Sequence, residues 1–198
     1  MKKVIYCIAV VMFVSIVKAQ SGENDDAQNS RMRPVLIVID IQNQFKDYIP
    51  ERDRQIGIYM INASIELFRR YGYPVIRVYH SDPQWGPKPG SPEFQFFDGV
   101  MVDSSDVMVI KNYPSSFKKT ELDKILKGMN RNTVFLCGLS AVGCVISTHF
   151  AAKDLDYKSF MIKDAIMSHV TKYTDSIEEM FDAVGYEAME AMLENAEK

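Results

Sequence analysis

The sequence predicts an α/β fold: a doubly wound, mainly parallel, Rossmann-like sheet with helices on both faces. Short, continuous apolar runs rich in β-branched residues recur along the chain, and such runs are typical of strands buried on both faces. Between them lie segments whose apolar residues recur at helical spacing. Because strands that alternate with helices usually pair in parallel, the two patterns together predict one layered α/β domain.

The N-terminal residues differ in composition from the rest of the chain of 198 residues. A basic start, an uncharged apolar run ending at Val17 and small residues after it predict a removable secretory signal over residues 1–19. An uncleaved anchor is the alternative. Residues 20–33 are polar and acidic, so we expect a disordered linker there. Residues 34–198 remain for one domain, in a protein that we expect to be secreted or periplasmic.

Charge and cysteine content exclude several classes of protein. The formal net charge is −3 with both signs interspersed, so no basic patch favours nucleic acid, and we expect no membrane contact once the signal is removed. Of three cysteines, Cys7 lies in the predicted signal, while Cys137 and Cys144 lie close together in one segment. This spacing does not indicate a disulfide framework.

Three strands are predicted in the first part of the chain, and each ends at a polar side chain. The runs cover residues 34–39, 74–79 and 106–110, followed respectively by Asp40, His80 and Lys111. Because ligands collect at the carboxyl edge of a parallel sheet, these three side chains are candidate site residues. Each also has an ordinary alternative, as a helix cap, a loop residue or a solvated strand end.

The segments between these strands predict helices and one long loop. Residues 56–68 carry an apolar stripe at helical spacing, and Gly72 supplies a stop. Thr120 has N-cap chemistry for a helix that ends at Gly128. The loop 81–98 is rich in Pro, Gly and aromatic residues, including the only tryptophan. Its aromatic side chains fit a pocket wall or a contact between subunits.

The segment after residue 132 predicts a strand, a tight turn and a helix. Residues 133–137 form the apolar run, Gly138 the turn, and Cys144 falls near the first turn of the helix. Free N–H groups and the helix dipole favour a thiolate there. The alternative is a buried cysteine that packs as a small hydrophobe.

The last part of the chain supplies the fifth strand. We predict this strand over residues 158–162, closed by Asp164, and an amphipathic helix over 175–184. Residues 186–193 fit either a helix or a short edge strand. No glycine-rich phosphate loop and no internal repeat is present in the sequence.

Three ordered motifs resemble the isochorismatase-like cysteine hydrolases, the superfamily that includes nicotinamidases and carbamoylsarcosine amidohydrolases. They are VIDIQNQF at residues 38–45, IKNYPSSFKKTEL at 110–122 and CGLSAVGCVISTHFAAKDLDY at 137–157. The resemblance covers residue 34 to the end of the chain. It implies a six-stranded Rossmann-like sheet, and a cis peptide between Leu139 and Ser140. It also implies a catalytic triad of Asp40, Lys111 and Cys144.

The same resemblance narrows the chemistry. Nicotinamidases carry an Asp-x-His metal motif soon after the first strand, whereas residues 46–58 of this chain contain no histidine. His80 alone cannot form a zinc site, so we expect neither a metal nor another cofactor. Because relatives that cleave the vinyl ether of isochorismate can lack the cysteine, Cys144 favours acyl chemistry.

The sequence-based hypothesis is therefore a secreted, metal-independent cysteine hydrolase that acts on a small amide or ureido substrate. Asp40 would accept the thiol proton, Lys111 would hold the thiol pKa below its ordinary value, and the N–H groups of Gly143 and Cys144 would form an oxyanion hole. Candidate pocket residues are Asn43, Phe45, His80, Trp85 and Phe117.

Two alternatives to this hypothesis remain open. The first is a vinyl-ether hydrolase of the isochorismatase type, in which Asp40 donates a proton. The second is an exported binding or assembly protein that keeps the fold without catalysis. In each case we expect a homo-oligomer, either a dimer or a tetramer.

Overall fold

The computed structural model describes residues 31–197, and its centre is a parallel sheet of five strands. Neighbouring strands pair in parallel register throughout the sheet. In chain order the strands are β1 (Pro34–Ile39), β2 (Val75–His80), β3 (Val107–Lys111), β4 (Thr133–Leu139) and β5 (Lys158–Met167). Their order across the sheet is β3-β2-β1-β4-β5. The predicted fold class is confirmed.

Helices cover both faces of the sheet, and the first three of them each connect two successive strands. They are α1 (Glu51–Tyr71), α2 (Leu122–Gly128), α3 (Ile146–Asp154), α4 (Thr171–Met180) and α5 (Tyr186–Glu194). Short 3-10 turns occupy Asn43–Tyr48 and Pro92–Phe94, and a π-helical turn at Ala141–Val145 precedes α3. The predicted stop of α1 is confirmed, since Gly72 adopts the left-handed conformation with φ 77° and its N–H returns to the last turn of the helix.

The central strand β1 shows how the sequence builds two hydrophobic cores. All six of its residues are buried. Leu36 and Val38 pack into the core that α1 and α5 cover, whereas Val35, Ile37 and Ile39 pack into the core that α2, α3 and α4 cover. Since successive side chains of a strand point to opposite faces, a continuous apolar run is needed to fill both layers.

The strand order places a topological switch between β1 and β4. From β1 the chain continues to β2 and β3 on one side, then returns to β4 and β5 on the other. Connections that leave in opposite directions open a crevice at the carboxyl ends of the two strands. Asp40 follows β1 and the turn that holds Cys144 follows β4, so both residues lie at this crevice.

A glycine permits the close approach of β1 and β4 at the crevice. Gly138 has φ 115°, and a Cβ at this position would collide with the backbone carbonyl oxygen of Ile39. Any other residue would be strained in conformation and would also push the two strands apart. Gly138 therefore sets the separation of the strand ends that position Asp40 and Cys144.

The C-terminal part differs from the sequence-based prediction. The strand β5 continues past Asp164, which has φ 61° inside the strand instead of closing it. The next helix begins at Thr171 and ends at Met180, earlier than predicted. The ambiguous segment 186–193 is helical.

The sixth strand that the resemblance implies is reduced to one contact. Within residues 31–197, Val184 forms only an isolated parallel bridge with Ile162. The chain at Val184 is pinned by backbone hydrogen bonds to Met161 and Lys163 on either side of that bridge, and α5 begins two residues later. The segment between this bridge and the start of α5 is too short to form a ladder of strand hydrogen bonds.

The predicted signal at residues 1–19 and most of the predicted linker at 20–33 lie outside the described residues. Over residues 31–197, no helix combines the length and the apolar character needed to cross a bilayer.

Candidate active site

The ammonium group of Lys111 contacts three polar side chains at the carboxyl edge of the sheet. Its Nζ is 2.6 Å from Oδ2 of Asp40, 3.1 Å from Nδ1 of His80 and 3.2 Å from Sγ of Cys144. The side chains of Lys111 and Asp40 are almost completely shielded from water. The three residues proposed from the sequence as a triad are thus brought together, with His80 as a fourth member.

The sheet explains why residues so distant in sequence meet. Asp40 directly follows β1, His80 and Lys111 are the last residues of β2 and β3, and these two are paired in the ladder. The buried side chain of Gln42 fixes the end of β2, because its amide accepts from the His80 N–H and donates to the His80 carbonyl. The four residues of the cluster therefore lie at the carboxyl ends of four parallel strands, on the same edge of the sheet.

Burial and charge act in opposite directions on Asp40. Loss of solvent raises the pKa of the carboxyl group, and the nearby Lys111 ammonium opposes that rise. Its Oδ1 is buried without a hydrogen-bond partner. A carboxylate with a raised pKa and one unoccupied oxygen is suited to accept a proton from a neighbouring group.

The thiol of Cys144 differs from the sequence-based expectation. Burial, reinforced by the negative charge of Asp40, raises the pKa of the Cys144 thiol to about 12, although Lys111 acts to lower it. The expectation of a lowered pKa was wrong because it counted the lysine and neglected desolvation and the carboxylate. A thiol with a raised pKa stays protonated at neutral pH, so a nucleophilic role for Cys144 would require a neighbouring base to remove its proton.

His80 contributes a neutral ring. Burial lowers its pKa, and the Lys111 ammonium lowers it further. Since the ammonium can only donate, Nδ1 of His80 is the acceptor of their hydrogen bond and the ring proton sits on Nε2. His80 thereby helps hold Lys111 between Asp40 and Cys144.

The donor atoms around Lys111 also have the spacing of a metal site. One carboxylate oxygen of Asp40, one ring nitrogen of His80 and Sγ of Cys144 lie within 4.8 Å of one another, a spacing that could hold an ion. Lys111 already directs its ammonium at all three atoms, so a metal would have to displace a buried cation. No other cluster of this kind occurs in the described part of the chain.

The turn that carries Cys144 corrects the proposed oxyanion hole. The carbonyl of Ser140 accepts hydrogen bonds from the N–H groups of Gly143 and Val145, at 2.8 and 3.1 Å. The N–H of Gly143 is therefore occupied, whereas the N–H of Cys144 does not donate to this carbonyl. The peptide bond between Leu139 and Ser140 is cis. The N–H of Ser140 has no acceptor among the residues described here.

A cleft of about 410 Å³ opens onto the cluster. Three of the predicted pocket residues, Phe45, His80 and Trp85, line it. Asn43 does not, because its side chain donates to the carbonyl of Pro92 on the neighbouring loop. Phe117 does not either, since it is buried in the core against Tyr157.

Several cleft residues were not predicted from the sequence. Tyr48 and Ile49 end the 3-10 turn after β1, and His169 follows β5. His169 is the second residue after β5, so a search near strand ends, like the one that identified Asp40 and Lys111, would have reached it had β5 been predicted to its full length. For Tyr48 and Ile49 the sequence carries no comparable signal.

A doubly wound parallel sheet whose switch point brings together a carboxylate, a lysine and a cysteine defines an isochorismatase-like cysteine hydrolase fold. Residues 34–191 match the Isochorismatase domain, and the chain belongs to that family.

Known proteins similar to this chain include two sequence relatives and one solved structure. An uncharacterised isochorismatase family protein of Bacillus subtilis is 29% identical over 136 residues, 67% of this chain and 73% of that protein. A secreted isochorismatase effector of Verticillium dahliae is 24% identical over 135 residues, 67% of this chain and 71% of the effector. The crystal structure of N-carbamoylsarcosine amidase from Thermoplasma acidophilum superposes with a TM-score of 0.67 at 28% identity, covering 78% of this chain and 95% of the amidase.

Proposed function

We propose that this protein hydrolyses the C–N bond of a small amide or ureido substrate through a thioester on Cys144. The observation that carries the proposal is the position of Lys111, whose buried ammonium touches both Asp40 and the thiol sulfur. A neutral thiol, a base and a fixed cation in one shielded site are the parts that covalent acyl transfer requires.

In the first half of the reaction Asp40 removes the thiol proton while Sγ of Cys144 bonds to the substrate carbonyl carbon. Lys111 stabilises the sulfur as its negative charge develops, which offsets the raised thiol pKa. The charge on the carbonyl oxygen is received by the N–H groups of Cys144 and Ser140. Collapse of this intermediate breaks the C–N bond, and protonated Asp40 gives its proton to the leaving amine or ammonia.

In the second half water cleaves the thioester. Asp40 takes a proton from the water while the water oxygen bonds to the acyl carbon. The C–S bond then breaks, the carboxylic acid leaves, and protonated Asp40 returns its proton to the sulfur of Cys144. One water is consumed per C–N bond, and the enzyme returns to its starting state without a cofactor.

Similarity to known proteins, the N-terminal sequence and the lysine of the cluster each support one part of the proposal. The similarity to an amidase of N-carbamoylsarcosine at 28% identity supports C–N cleavage. The sequence pattern of residues 1–19, together with a secreted fungal relative, supports export of this protein. The lysine at the centre of the cluster supports action without a metal.

Release of ammonia from a panel of small amides and ureido compounds tests the proposal. We expect the purified protein, without added metal, to release ammonia from at least one of them. Cleavage of an isochorismate-type vinyl ether without ammonia release would replace amide hydrolysis by the alternative activity. If neither the amides and ureido compounds nor the vinyl ether is cleaved, the proposal is overturned, and the result favours a binding protein with the same fold.

A further inference from the structure

The walls of the cleft combine apolar side chains with very little charge. Five of the ten lining residues are apolar or aromatic: Phe45, Tyr48, Ile49, Trp85 and Leu139. The polar members are the catalytic pair Asp40 and Cys144, the neutral ring of His80, and Ser140 and His169. Among residues 31–197, no lysine or arginine lines the cleft. A substrate therefore meets hydrophobic surface up to the reacting thiol.

In the described part of the chain, the lysine at the reaction site is not available to a substrate. Lys111 lies beneath the cleft, almost fully buried, and its three donor directions are used by Asp40, His80 and Cys144. A substrate carboxylate would lose its hydration without gaining a cationic partner, which is strongly unfavourable. It would also approach the negative charge of Asp40, and like charges repel most in a shielded site.

We infer that the cleft selects uncharged amides with an apolar, preferably flat acyl group, and rejects amides and ureido acids that carry a carboxylate. For turnover this inference rests on the proposed hydrolase function. Its volume of about 410 Å³ suits a small molecule, and the aromatic rings of Phe45 and Trp85 offer faces against which a flat group can pack.

Binding can be measured independently of catalysis, because the only tryptophan of the chain lines the cleft. Trp85 is 83% exposed and lies at the rim of the cleft, so a bound ligand changes the surroundings of the indole ring. Fluorescence of Trp85 in the Cys144→Ala protein is titrated at pH 8 with 4-methylbenzamide and with 4-carbamoylbenzoate. These two ligands have similar shape and differ in charge. We expect the neutral amide to bind at least about tenfold more tightly, and equal or tighter binding of the carboxylate would overturn the inference.

A charge placed on the cleft wall sharpens this test. Tyr48→Arg introduces a cation at an exposed position of the wall, while Tyr59→Arg makes the same change at an exposed position of α1 outside the cleft. We expect Tyr48→Arg to shift the affinity ratio toward the carboxylate by about tenfold and Tyr59→Arg to leave it unchanged. A ratio that neither variant moves, or that both move equally, would contradict the inference.

Ammonia release by the native protein separates the two claims. Absence of turnover with a retained preference for the neutral ligand would overturn the hydrolase proposal and support the ligand class. Faster ammonia release from 4-carbamoylbenzoate than from 4-methylbenzamide would support the hydrolase and overturn the ligand class.

Discussion

The Lys111 ammonium lies 2.6 Å from Oδ2 of Asp40, and both side chains are almost fully removed from water. Desolvation of two charges consumes much of their mutual attraction, so such a pair is poor evidence for a stabilising role. The Lys111 ammonium also lies 3.2 Å from Sγ of Cys144, which fits the proposed role of the pair in positioning a base and a nucleophile.

Breaking this pair on one side should destabilise the fold. Lys111→Met leaves the Asp40 carboxylate buried without its cation, and we expect a loss of about 3–5 kcal/mol in the free energy of unfolding, measured by urea denaturation. Lys127→Met is the matched control, because Lys127 pairs with Asp123 at 2.8 Å on the surface and should cost less than about 1 kcal/mol. Equal losses in the two variants would contradict a buried charge pair.

Removing the charge of Asp40 should make the thiol easier to ionise. Since Asp40 helps to raise the pKa of Cys144 and Lys111 opposes it, Asp40→Asn should lower the pH midpoint of alkylation at Cys144 by at least about one unit. Lys111→Met should shift this midpoint upward. The rate of iodoacetamide labelling, followed by peptide mass spectrometry, measures both. Shifts in the same direction would separate Cys144 from this electrostatic cluster.

Acidification should weaken the site through His80. Its pKa is lowered, so the folded protein holds a neutral ring and the unfolded chain binds the proton first as the pH falls through 6.5. Stability and kcat/KM are then lost toward low pH, because an imidazolium would face the Lys111 ammonium, and the negative charges of Asp40 and the nearby Asp82 offset this repulsion only in part.

The variant His80→Gln keeps an acceptor without this titration. Its acid limb of kcat/KM, measured between pH 4 and 8, should lie at lower pH than that of the native protein. Superimposable acid limbs would assign the pH dependence to Asp40 and exclude His80.

Much of the site could be predicted from the sequence by one rule, namely that polar residues at the carboxyl ends of parallel strands lie at the site. Continuous apolar runs mark β1, β2 and β3, and the polar residue at each carboxyl end enters the cluster. The rule failed at β5, where Lys163 and Asp164 interrupt the apolar run although the backbone remains a strand. His169 was missed for that reason.

Other features depend on geometry that spacing does not encode. The helical periodicity after Gly138 does not reveal that the Gly143 N–H turns back to the Ser140 carbonyl. Nor does the composition of loops reveal that Phe117 packs into the core while Phe45 lines the cleft. The thiol pKa depends on burial, which a list of neighbouring charges omits.

Chelation should have no effect on this protein. Since the Lys111 ammonium occupies the space among Asp40, His80 and Cys144, we expect a strong chelator to leave both ammonia release and melting temperature unchanged. Elemental analysis should find less than stoichiometric zinc or iron in the purified protein. Activity that is lost on chelation and restored by either metal would show that an ion displaces the lysine.

The turnover of two variants, each with one cysteine replaced by alanine, tests the central claim most directly. Cys137 is fully buried in the core and Cys144 borders the cleft, so each variant removes one thiol and only one removes the proposed nucleophile. We expect Cys144→Ala to lose at least about 10³-fold in kcat/KM while unfolding cooperatively. Cys137→Ala should stay within about threefold of the native kcat/KM, because the residue makes no contact with the reacting atoms. Appreciable turnover by pure Cys144→Ala would contradict covalent catalysis by this thiol.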